Sequence, residues 1–138
     1  MLQMKEAMII YEIMGPGSKG VSSLAYAIRE AEHLLFVKKI PMDEIHVTRD
    51  IYPKVAERLK KQNRTIARQI ERTGNRCWEC MDSDQKEKYI GKDLKDIQAP
   101  RDMIFYLAFY SHFQKSFYQV LEEYPSLLFS GEITPNQN

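Results

Sequence analysis

Apolar residues recur at helical spacing along nearly the whole chain, and no stretch of strict two-residue alternation interrupts them. Residues 3–14 predict a first helix, stopped by Gly15-Pro16-Gly17, because glycine and proline both end helices; Ser18 is placed to cap the next. Val21, Leu24, Ile28, Ala31 and Leu35 then form one stripe of a helix running to about Lys38, and the amines of Lys38 and Lys39 suit the negative pole at its end. Pro41 opens a connection. Thr48 predicts an N-cap for a third helix over 49–59, with Ile51, Tyr52, Val55, Ala56 and Leu59 as its apolar face and Pro53 in its opening turns, where proline is tolerated.

After a polar break at Lys60–Asn63, a fourth helix is expected from Asn63 to Met81. Ile66, Ile70, Cys77, Trp78 and Met81 lie on one side; at about 100° per residue, Arg64, Arg68, Arg72 and Asn75 fall opposite. Gly74 sits near the apolar edge, where it permits close packing. Residues 82–98 read as a charged loop with a short turn or hairpin, broken at Gly91. Pro100 fits the first position of a last long helix over 100–118, Glu122–Phe129 adds a short helix or packed tail, and 130–138 is a polar, frayed end. The expectation is an all-α fold of about five or six helices in one domain over 1–129, containing a helix-turn-helix.

Composition sharpens this picture mainly through charge. Residues 54–76 hold eight Lys or Arg against two Glu, whereas the rest of the chain holds twelve against seventeen. The overall charge of +1 therefore hides one basic stretch on an acidic body, a pattern that suits a polyanionic partner. No apolar run is long enough to cross a bilayer, and no secretory leader pattern opens the chain. Two cysteines point to a reducing, cytoplasmic location. No Gly-rich phosphate loop is present.

A short amphipathic helix, a polar turn and a second helix with an outward Arg face have the form of a DNA-reading helix-turn-helix, in which the first helix braces the second against the major groove. Arg64, Thr65, Arg68, Gln69 and Arg72 are the candidate base readers, since a guanidinium fork matches guanine O6 and N7. Lys54, Arg58, Lys60, Lys61 and Arg76 are the candidate phosphate contacts, which set affinity and register. The alternative is an ordinary solvated basic face in a helical bundle.

These same residues carry a resemblance. Ile10-Tyr11-Glu12-Ile13, Gly15-Pro16 and Lys19-Gly20 are followed in order by Leu24-Ala25-Tyr26-Ala27-Ile28, by Ile51-Tyr52-Pro53-Lys54-Val55-Ala56, and by Ile66-Ala67-Arg68-Gln69-Ile70 leading ungapped to Trp78; Pro100 to Phe109 follows as a closing helix. Over residues 8–115 the chain resembles the C-terminal effector domain of the master response regulator of sporulation in endospore-forming bacteria. The resemblance implies an all-helical domain with a central helix-turn-helix, sequence-specific double-stranded DNA binding as a transcription regulator, and tandem dimer binding involving the C-terminal helix. Arg68 falls on a recognition-helix Arg of that family. Ala67 replaces a Glu, Glu71 stands where the family has an Arg, and Arg72 comes one place later, so the family's target sequence does not carry over. Lys61, Gln62 and Asn63 replace a Thr/Pro-rich helix start. The chain holds no phospho-acceptor receiver domain, and control by aspartyl phosphorylation does not carry over either.

Other features point to packing. In Cys77-Trp78-Glu79-Cys80 both thiols fall late in a helix, away from the N-terminal position that favours a thiolate, and a second Cys pair for zinc is missing. His33, His46 and His112 have no ligand spacing, and no catalytic order of nucleophile and base is found, so neither metal, cofactor nor enzymatic activity is expected. Nine of the fifteen aromatics lie in 103–129: Phe105, Tyr106, Phe109, Tyr110, Phe113, Phe117, Tyr118, Tyr124 and Phe129. Either the last helix is buried all round, or it leaves a second apolar face as a partner surface, through which a homodimer or a modulator complex would form.

Overall fold

The computed structural model describes residues 2–96 and 99–127, and every regular element among them is helical. The elements are α1 (Lys5–Met14), α2 (Val21–Glu32), α3 (Tyr52–Leu59), α4 (Asn63–Cys80), α5 (Ser83–Tyr89), α6 (Asp102–Phe113) and α7 (Phe117–Glu123), with short 3-10 turns at Met42–Glu44 and Pro125–Leu127. The predicted tail and Phe129 lie outside the described residues.

The expected helices form, but several of their ends differ, each for a local reason. The stripe from Val21 to Leu35 is buried as predicted, and α2 continues into a wider π-helical turn, His33–Val37, before Lys39 turns left-handed at φ 58°. Ser18 does not cap α2; its hydroxyl donates back to the Met14 carbonyl at 2.9 Å, and the cap position is held by Gly20 in the left-handed region. Thr48 does not cap α3. A π-helical turn, Val47–Ile51, leads into that helix, and the backbone N–H of His46 donates to Asp50 Oδ2 at 2.9 Å.

Residues 82–98 are not simply a loop. The Asp82 carboxylate accepts from the Gln85 N–H while the Gln85 side chain accepts from the Asp82 N–H, a capping box that starts α5; Gly91 ends the segment as expected, with φ 102°. The expected helix over 100–118 is two. Pro100 lies in the turn before α6, Gln114 adopts the left-handed conformation at its end, and the Ser116 hydroxyl accepts from the Gln119 N–H to start α7. Splitting the helix lets Phe117 fold back onto Tyr106 and Phe109, with ring centroids 4.9 and 4.8 Å apart.

The centre of the fold is α6. Met103 through Phe109 are buried without a break, so this helix has no amphipathic face and no open apolar side along that span. It packs on α2 most extensively and also on α1, α4, α5 and α7. The three helices α2, α3 and α4 pack against one another pairwise, and α4 lays its apolar edge on α1, α2 and α6. Burying Ile66 and Ile70 completely contributes about 1.5–3 kcal/mol each.

Gly74 sets how closely α4 approaches the start of α6. A Cβ there would come within 2.6 Å of the Pro100 carbonyl oxygen, a backbone atom that cannot swing aside. Gly74→Ala should therefore lower stability by about 1–3 kcal/mol, read as a lower urea midpoint at unchanged slope. Gly17→Ala, where a Cβ meets nothing within 4 Å, should shift it by less than about 1 kcal/mol.

Candidate nucleic-acid interface

The turn between α3 and α4 is built by the backbone. Lys60 adopts φ 56°, and the Lys61 N–H reaches back to the Ala56 carbonyl at 3.0 Å, closing α3 in a Schellman-type turn. A left-handed conformation at a residue bearing a Cβ costs roughly 1–2 kcal/mol, so a lysine stands where glycine is easier. The chain then enters α4 at Asn63 with no side chain capping its first turn and no acidic residue in it. Arg64 instead sits at the positive pole of the helix, an arrangement that costs about 0.3–1 kcal/mol.

Along α4 the buried edge is Ile66, Ile70, Thr73, Gly74, Cys77 and Trp78. Arg64, Thr65, Arg68, Arg72 and Arg76 are exposed, and among the described residues none of the four arginines takes an ion pair. Lys54, Lys60 and Lys61 are likewise exposed and unpaired. Arg58 is exposed and lies over the Tyr26 ring of α2, 4.9 Å from its centroid, which steadies the guanidinium while leaving its N–H edge free.

Gln69 differs from the other predicted base readers. It is half-buried, and its Oε1 accepts from the Ser23 hydroxyl of α2 at 2.6 Å, so its carbonyl end braces two helices. Thr73 adds a second brace, donating to the Gly20 carbonyl at 3.0 Å.

Glu71, the one acidic residue in the middle of the basic helix, turns away from the arginine face. Its Oε2 accepts from the Tyr52 hydroxyl at 3.1 Å and lies 3.6 Å from Arg101 Nη2. Burial, reinforced by the Glu71 charge, pushes the Tyr52 phenol well above its ordinary value and keeps it a donor. Sequence spacing alone does not reveal this role; the signal available was a Tyr and a Glu on helices flanking a short turn.

The two thiols of the C-x-x-C sit in different surroundings. Cys77 is buried with its thiol donating to the Met14 sulfur at 3.3 Å, and burial pushes it up to about 12, while Cys80 is exposed. Lys86 Nζ lies over the Trp78 ring, 4.4 Å from its centroid. Among the described residues no cluster of His, Cys, Asp or Glu could hold a metal, and no helix is long and apolar enough to cross a membrane. Among the described residues the exposed large apolar side chains are Met8, Val37 and Tyr124, at 48%, 68% and 48%, and none is on α4. Nearby, Phe36 stacks on His112 at 4.1 Å and Phe113 stacks on Tyr124 at 5.6 Å.

In the native protein a thiol reagent should label one group per chain, Cys80, with the second reacting only on unfolding; rapid labelling of both in native buffer would contradict the burial of Cys77. No family model, curated protein or solved structure matches this chain.

Proposed function

We propose that this protein is a sequence-specific DNA-binding transcription regulator that reads double-stranded DNA with α4 and grips the backbone with the α3–α4 turn. One observation carries the reading: the solvent face of α4 presents Arg64, Arg68, Arg72 and Arg76 without counter-ions among the described residues, while Glu71 is engaged on the opposite flank. An uncompensated row of guanidinium groups lowers stability in isolation and is relieved by a polyanion. The uncapped, basic start of α4 and the lysine in the left-handed turn position support the same reading. So does the resemblance to the sporulation regulator's effector domain.

Arg68 and Arg72 reach base edges, with Arg64 and Thr65 at the groove entrance; Gln69 contributes through its amide nitrogen, since its oxygen is already bonded. Lys54, Arg58, Lys60, Lys61 and Arg76 contact phosphates. The test is selection of genomic DNA at two salt concentrations, followed by titration of variants on the enriched site. Arg68→Ala should cost about 1–3 kcal/mol and relax one base position. Lys61→Ala should weaken binding to all sequences and reduce the salt slope by about one unit. Unchanged affinity in Arg68→Ala would remove that residue from the interface.

A second reading is favoured by the ring cluster of Phe36, His112, Phe113 and Tyr124, with exposed Val37 next in the chain to Phe36: a protein-contact module, as a homodimer or as a modulator of a related regulator. Absence of any enriched DNA motif, together with a stable complex by light scattering, favours this second reading over the first.

A further inference from the structure

Away from the basic face, α1 and α2 bury two carboxyl groups against each other. Glu6 is 2% exposed and Glu32 8% exposed, and the two side chains lie within hydrogen-bonding reach. Their surroundings compensate them only in part. Glu32 Oε2 is 3.2 Å from Lys5 Nζ, and Glu6 Oε1 is 3.7 Å from Arg29 Nε, but both cations are largely in solvent. Oε1 of Glu6 and Oε1 of Glu32 are buried with no hydrogen-bond donor among the described residues.

Two ionised carboxylates so buried would each keep a desolvated oxygen without a donor beside a like charge, whereas one proton held by the pair removes that repulsion and supplies a donor between them. We propose that Glu6 and Glu32 share one proton at neutral pH and thereby fasten α1 to α2, so that this helix contact is proton-dependent. The inference stands independently of DNA binding.

Burial, then the hydrogen bond and charge of Glu6, raise Glu32 to about 8, against the smaller opposing pull of Lys5. Glu6 and Lys5 of α1 act on Glu32, and Arg29 of α2 bears on Glu6; on α6, burial and then the charge of Lys5 lower the proton affinity of His112. The direction of the linkage follows. The folded pair holds its proton more tightly than the unfolded chain does, so between the ordinary 4.5 and about 8 folding takes up a proton. Stability is fully present below that window and falls as pH rises through it.

The test combines thermal melting from about pH 5 to pH 8 with carbon-detected titration of the Glu side-chain carboxyls in the intact chain. The wild-type Tm should fall across the window by about 5 °C or more, and Glu32→Gln, which keeps a donor toward Glu6 and removes the shared charge, should flatten the curve and melt above wild type at pH 8. One Glu carboxyl should titrate far above the others. If every Glu carboxyl titrates in the ordinary carboxylate range, or if Glu32→Gln keeps the wild-type slope, the shared proton is refuted. Should the variant fail to fold, the wild-type carboxyl titration decides alone.

Discussion

The rotation of α4 about its own axis is the constraint on which the rest of this molecule depends. An eighteen-residue helix with arginines every fourth position presents them to solvent only if its other side is held fast. Apolar burial of Ile66, Ile70, Cys77 and Trp78 supplies the attraction but little angular precision, because hydrophobic contact is not directional. The angle is fixed by polar and steric contacts along both borders of the buried edge. Gln69 and Thr73 bond to Ser23 and Gly20 of the α2 border, Glu71 bonds to Tyr52 of α3, and Gly74 touches the Pro100 carbonyl. A helix rotated by one residue position would break all of these together.

That arrangement explains why a carboxylate can stand in the middle of a basic helix without cancelling its field. Glu71 lies on the α3 border, where it accepts from a phenol and approaches Arg101, so its charge is spent within the fold. The outward arginines keep theirs. A chain optimised only for stability would place acids, not arginine, at the start of α4 and glycine at the left-handed turn position. Local choices that oppose stability are the expected mark of a surface kept for something else.

Much of this was legible from spacing. The stripe Val21, Leu24, Ile28, Ala31, Leu35 and the opposition of Ile66 and Ile70 to Arg64, Arg68 and Arg72 follow from the helical period, and burial agrees with both. Gly74 at the apolar edge was readable as a close approach, though its partner, Pro100, was not, because long-range contacts leave no local trace. Missed elements had short signals that periodicity cannot resolve: the Asp82–Gln85 capping box begins a helix of only seven residues, and Ser116 restarts the chain after Gln114 turns left-handed. The even apolar run of α6 concealed its break for the same reason, since a helix buried all round has no period to interrupt. Among the candidate contacts, Gln69 was indistinguishable from its neighbours in sequence because it lies on the border between the wet and dry faces, where only the position of Ser23 decides its role.

The helix that ties these parts together is α2. At its N-terminal end Ser23 holds α4 in register; one turn on, the Tyr26 ring supports Arg58 of α3; at its far end Glu32 meets Glu6 of α1. Each of these groups could be replaced by an apolar side chain of similar size with little loss of burial, yet each would then lose a direction. Buried polar contacts of this kind add less to stability than their number suggests, because desolvation offsets most of their attraction. Their effect is selective: an alternative packing of α4 on α2 leaves the Ser23 hydroxyl and the Gln69 amide oxygen without each other. The arginine face of α4 is thus positioned less by the strength of its anchoring than by the cost of every other way of anchoring it.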